Sequence, residues 1–173
     1  MLDALSRWRD TRAMSTPSAR SDLVVRRAEV ADADAVGRLL HDFNAEFDEP
    51  TPDAHAVAER VRALLAAGEM TVLLGGGGPD GLAVLRFRPA LLTEGLDCYL
   101  EDLYVVPARR GQGLGRAIME AALKVARREG AVEMHLGTSE DDVAARALYE
   151  SLGFTNRDGE PDGPVNYFYE REL

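Results

Sequence analysis

A chain of 173 residues fits one ordinary domain, and at that size about two-thirds of the unfolded surface can be buried. Its 46% hydrophobic and 29% charged residues, with no apolar run near the ~18 residues that cross a bilayer, read as a globular protein with no membrane span. Lys and Arg total 20 against 30 Asp and Glu, a formal charge of −10, which argues against nucleic acid as a partner because phosphate contacts need basic surface. A polyanionic ligand would have to be held locally, by a few cations and aligned amides.

Residues 1–21 are polar and Ser/Arg-rich around Leu2, Leu5 and Trp8, and read as an appendage, flexible or a short helix, ahead of one domain over 22–173. This segment lacks the apolar core of a secretory signal, and Cys98 is the sole cysteine, so a reducing, cytoplasmic setting is expected. Leu23 to Ala28 reads as a strand. Asp32 or Asp34 can then cap a helix carrying Val36, Leu39, Leu40 and Phe43 at helical spacing. After Pro50-Thr51-Pro52, Asp53 opens a second helix with a Val57, Val61, Leu64, Leu65 stripe, closed by Gly68.

Met70 to Leu74 and Leu82 to Phe87 are strand candidates flanking a glycine-rich hairpin turn, 75–81. Asp97 to Val106 is a long strand ending at Pro107. The run Arg109 to Arg116 leads from it into a helix bearing Leu114, Ile118, Ala122 and Val125. Ala131 to Gly137 is another strand, and Ser139 can cap a helix bearing Ala144, Leu148 and Leu152, stopped by Gly153. Phe154 and Val165 to Tyr169 supply the last strands. The sum is a mixed α/β sheet of about seven strands with about four helices and no repeats.

Three glycines in five residues (Gly111, Gly113, Gly115) let backbone approach a bulky anion, and the helix that follows offers open N–H groups at its positive end. Three arginines and no acid lie between Pro107 and Arg116, so the stretch looks locally cationic. Together, LeuGluAspLeuTyrValValPro (100–107), ArgGlyGlnGlyLeuGlyArg (110–116) and AlaLeuTyrGluSerLeuGlyPhe (147–154) resemble the GCN5-related N-acetyltransferases. The wording of 100–107 is most similar to the diamine acetyltransferase branch.

That resemblance implies the acyl-CoA N-acyltransferase fold, acetyl-CoA as co-substrate, direct transfer to a small primary amine within a ternary complex, and dimers as a common assembly. It implies that Leu103, Tyr104 and Val105 lend backbone groups to the pantetheine arm. Arg110, Gly111, Gln112, Gly113, Leu114, Gly115 and Arg116 would hold the pyrophosphate. Asp142 and Ala145 would meet the cofactor arm, although the family has asparagine where Asp142 stands. Ser139-x-x-Asp142 also reads as a near capping box.

Tyr149 shares a helical face with residues 142, 145 and 152, and the resemblance makes it the acid that protonates the departing thiolate. A base is needed because an alkylammonium with pKa near ~10 cannot attack a thioester. Glu101 and Asp102, adjacent on a strand, should face opposite sides of the sheet. The resemblance selects Glu101 as base, with Asp102 structural or substrate-facing.

Phe43, Glu46 and Phe47, between the first two helices, could form an acceptor wall for a cationic amine. His41, His55 and His135 lack ligand spacing, so no metal site is expected. Cys98 is not expected to carry the acyl group. The competing readings are an acyl-CoA sensor without turnover and a protein or peptide N-acetyltransferase.

Overall fold

The computed structural model describes residues 23–169 and 171; the appendage read over residues 1–21 lies outside them. Its sheet has five strands in sequence order: β1 Val25–Arg27, β2 Thr71–Gly75, β3 Gly81–Pro89, β4 Leu96–Val105 and β5 Ala131–Leu136. The first three pairings are antiparallel and β4 with β5 is parallel. Helices α1 Ala33–Glu46 and α2 Ala54–Ala66 cover one face, while α3 Leu114–Arg128 and α4 Val143–Ser151 serve the other.

Five strands replace the seven expected. Phe154 is coil that packs edge-on to Tyr149 at 5.9 Å between centroids. The tail contributes a single bridge, Arg157 to Val165, and Tyr167 and Phe168 are exposed. Among the described residues no helix is long and apolar enough to cross a membrane.

The helix boundaries follow local chemistry. The Asp53 carboxylate accepts from Ala56 N at 2.9 Å and starts α2, and Gly68, at φ 70°, follows its end. Asp142 itself, not Ser139, caps α4, accepting from Ala145 N at 3.1 Å. Ser139 instead accepts from Asp141 N within the preceding turn.

Two apolar clusters sandwich the sheet. Val36 and Leu39 of α1 and Val61 of α2 pack on Val72, Leu74, Leu82 and Val84 of the sheet; Leu114, Ile118 and Met119 of α3 pack on Leu73, Leu85 and Leu100. Gly37 sets the crossing of α1 over α2: a Cβ there would sit 2.7 Å from backbone atoms of Ala58. This close approach fixes the wall that α2 presents to the sheet.

One irregularity in the sheet shapes the end of β4. On β3, Val84 stands opposite Asp102 but Leu85 opposite Leu100, so Glu101 has no partner and forms a bulge on β4. A bulge interrupts the alternation of side chains and bends its strand. Glu101 and Asp102 therefore do not take opposite sides as strict pleating requires; both reach the side covered by α1 and α2.

Candidate active site

The β4–β5 pairing ends at Leu100 with Leu136, one residue before the bulge, while β4 runs on to Val105. The strands part there and leave the β5-facing edge of residues 101–105 without a strand partner. A cleft of about 130 Å³ fills the gap, lined by Leu103 and Asp102 from β4, Gly137 and Thr138 after β5, and Tyr149 from α4. Phe43 and Phe47 close it from the end of α1, their rings edge-on at 5.4 Å. Asp142 and Ala145 also line it. Tyr104 turns its ring away toward Phe43, at 5.3 Å.

The glycine loop adjoins this opening. Gly111 and Gly113 have φ of 70° and 87°, and a Cβ at either would meet nothing within 4 Å. Glycine is required there for backbone conformation, and the space beside it is open. Ala117 N is the amide that returns to Gly113 O, at 3.0 Å. The amides at the start of α3 thus precede the first helical acceptor and point outward, a cradle suited to an anion.

The arginines of the loop are engaged to different degrees. Arg110 donates to both carboxylate oxygens of Glu46 and to Val105 O at 2.9 Å, with its guanidinium 5.7 Å from the Tyr104 ring centre. Arg116 donates to Ser151 Oγ at 2.6 Å and lies 4.0 Å from Glu120. Arg109 approaches Asp80 at 4.0 Å, and the Gln112 amide donates to Ala108 O at 2.9 Å. The open amides and the positive dipole end of α3 are the groups this loop offers to an anion. Glu46, committed to Arg110 and held below the usual carboxylate range by it, is not a free carboxylate for a cationic acceptor.

Glu101 and Asp102 separate the cleft from a second cavity of about 240 Å³ beneath α2 and line both. Their environments differ. Arg86 Nε donates to Glu101 Oε2 at 2.6 Å and its Nη1 to Glu69 O at 2.9 Å. Asp102 is half-buried, and desolvation, reinforced by the Glu101 charge, pushes its carboxyl up to about 6.

Tyr149 is 8% exposed, and burial, then the Asp142 charge, pushes its phenol up to about 12. It therefore keeps its proton, and its hydroxyl makes no hydrogen bond with the described residues. Its ring belongs to the α3-side core and also lines the cleft.

The remaining candidates lie elsewhere. Cys98 is fully buried, and burial pushes its thiol up to about 11, so it stays an unreactive thiol. His135 does not stand alone: with Asp97 and Glu133 it places donor atoms within 4.8 Å of one another, a set able to hold a metal ion. Spacing along the chain hid this group, because Asp97 comes from the neighbouring strand, at the end of β4 away from the cleft. Sequence reasoning also missed Arg60 and Arg86, both in the cavity lining. The signal was available in part, since Arg60 follows Val57 by three residues on one helical face.

The sequence profile of the acetyltransferase (GNAT) family matches residues 36–154. The uncharacterised N-acetyltransferase YhfO of Bacillus subtilis (strain 168) is 27% identical over 137 residues, 78% of this chain and 91% of that protein. The thialysine N-epsilon-acetyltransferase of Bos taurus is 28% identical over 146 residues, 76% of this chain and 83% of its own. A crystallised protein of Arthrobacter sp. FB24, provisionally assigned as an acetyltransferase, is 45% identical with a TM-score of 0.78, over 87% of this chain and 96% of that one.

Proposed function

The chain belongs to the acetyltransferase (GNAT) family, and on that premise we propose that residues 22–173 act as one domain that moves an acetyl group from acetyl-CoA to a primary amine of a small molecule, by direct attack in a ternary complex. The observation that carries this reading is the shared wall: one cleft contains Tyr149 and Asp102, and Asp102 also lines the adjoining cavity. A thioester in the cleft and an amine in the cavity would meet at that wall.

The amine must lose a proton before its lone pair can attack. An ammonium near ~10.4 lies roughly 4 units above Asp102 but more than 6 above an ordinary carboxyl, so burial of Asp102 lowers the cost of proton transfer by about 3 kcal/mol. Glu101 already has an oxygen occupied by Arg86. In this reading Asp102 is the base, its hold on a proton strengthened by the neighbouring Glu101 charge, in place of the expectation that Glu101 takes the proton.

At the other end the C–S bond breaks and negative charge develops on sulfur. A phenol near 12 is a weaker acid than a thiol near ~8.5, so complete proton transfer from Tyr149 is uphill by about 5 kcal/mol. The hydroxyl serves as a hydrogen-bond donor to the departing sulfur, a contact that strengthens as charge builds. The amides around Gly111 to Arg116 would anchor the pyrophosphate, and the open edge of Leu103 to Val105 the pantetheine arm.

Following CoA release across a panel of primary amines tests this. Turnover that falls by ~10²-fold or more in Asp102→Asn and by at least ~10-fold in Tyr149→Phe, with acetyl-CoA affinity nearly unchanged, is the expected result. Tight acetyl-CoA binding with no turnover on any amine would replace this reading with an acyl-CoA sensor.

A further inference from the structure

The larger cavity carries more charge than a simple amine needs. Its walls are aliphatic, formed by Leu40, Val57, Val61, Leu64 and Met70, and four ionisable side chains interrupt them: Arg60, Arg86, Glu101 and Asp102. Two of these neutralise each other, because Arg86 is held by Glu101 and by the Glu69 carbonyl. A half-buried carboxyl and an exposed guanidinium remain, both on the lining of one largely apolar pocket.

Arg60 has no ion pair or hydrogen bond among the described residues, on a chain with 30 acidic side chains. Its neighbours on α2 find partners: Arg62 is paired with both Asp34 and Glu59. Position explains the difference. Val57, Arg60, Val61 and Leu64 share the helical face turned to the cavity, whereas Arg62 lies on another face. An unpaired guanidinium beside aliphatic surface is a receptor for a carboxylate.

We propose that the acceptor is an aliphatic amino acid, its amine directed to Asp102 and its carboxylate to Arg60. This rests on the amine-acetylation reading and narrows it. One ammonium proton passes to Asp102, the nitrogen lone pair forms the new bond to the acetyl carbon, the C–S bond breaks with its electron pair leaving on sulfur, and the second proton that the nitrogen must shed passes to that thiolate, giving the amide and the CoA thiol. Size agrees with charge: about 240 Å³ is the liquid volume of roughly eight waters, room for a small aliphatic acid. A polycationic acceptor would meet Arg60 as a like charge.

The test compares matched acceptors that differ by the carboxylate alone: leucine with 3-methylbutylamine, and 6-aminohexanoate with pentylamine. For at least one pair the acid should exceed its decarboxylated partner by at least ~10-fold in kcat/KM, as a charge-assisted contact provides. Arg60→Gln should raise KM for that acid by a similar factor without changing kcat or the acetyl-CoA KM, and Arg60→Lys should recover part of the loss. Carboxylate-free amines turned over as well as the acids, or an Arg60→Gln effect equal on both members of a pair, overturns the amino-acid assignment and leaves amine acetylation standing. No turnover of any amine by protein that binds acetyl-CoA overturns both.

Discussion

Arg110 and Glu46, 64 positions apart, meet in a two-point ion pair, Nη1 to Oε1 at 2.6 Å and Nη2 to Oε2 at 2.7 Å. The pair ties the end of α1, which carries Phe43 and Phe47, to the glycine loop. Two walls of the cleft region, one from α1 and one from the loop that opens α3, are thereby held to each other. Both side chains are partly exposed, which limits the stabilisation to that of a well-aligned surface pair.

If Arg110 serves structure rather than phosphate, Arg110→Met and Glu46→Leu should each destabilise the protein. The double variant should then lose less than the sum, with a coupling of about 1 kcal/mol. Denaturant unfolding of the four proteins measures this. An additive cycle, with Arg110→Met weakening acetyl-CoA by tenfold or more, would return Arg110 to the phosphate.

Asp102 should link activity and stability to pH in opposite ways. Its carboxyl is raised from 3.8 to about 6, so the folded protein holds this proton more tightly than the unfolded chain. The stabilisation from the protonated form is complete below about pH 4 and is lost as pH rises through 6. Asp102→Asn should accordingly gain up to about 3 kcal/mol at pH 8 and close to nothing at pH 4. Activity runs the other way, with an acid limb near pH 6 in kcat/KM that the variant lacks along with most of its rate. Equal stabilisation at both pH values would remove the buried-carboxyl account.

Local chemistry made much of this legible in the sequence. Asp53 and Gly68 bracket α2, and Gly113 at the head of α3 signals its left-handed backbone, because caps and special φ values depend on residues a few positions apart. Non-local geometry did not show. Alternation failed at Glu101 because the bulge arises from mismatch with Val84 and Leu85 on β3. The arginines of the loop looked unopposed because Glu46 and Asp80 are distant along the chain. Val57, Val61 and Leu64 read as core, whereas on their open side they line a cavity. Residues 165–169 alternate poorly and carry three consecutive aromatics, so strand propensity there produced only one bridge.

Asp142 combines a cap with an electrostatic cost. Its carboxylate starts α4 through Ala145 N, lines the cleft and contributes to the raised phenol of Tyr149. Asp142→Asn keeps a good cap, so stability should change by less than about 0.5 kcal/mol. Removing a negative charge beside an anionic ligand should tighten acetyl-CoA several-fold, and the Tyr149 phenol should titrate below its present value of about 12. Calorimetry and NMR of ring-labelled tyrosine measure the two effects. Unchanged affinity would place the cofactor away from α4.

Gly37 offers a perturbation of the acceptor side alone. A methyl group there meets Cα, Cβ and N of Ala58 at 2.7 Å, and because two of those atoms are backbone, α2 must move as a body. Gly37→Ala should cost roughly 1–3 kcal/mol, the usual range for overpacking. The shift displaces Val57, Arg60 and Val61 relative to Glu101 and Asp102, while Gly111 to Arg116 and Tyr149 lie on elements that α2 does not support. The acceptor KM should therefore rise by about tenfold with the acetyl-CoA KM within twofold, measured below the melting temperature of the variant. Equal changes in both constants would mean that the cavity beneath α2 is not where the acceptor sits.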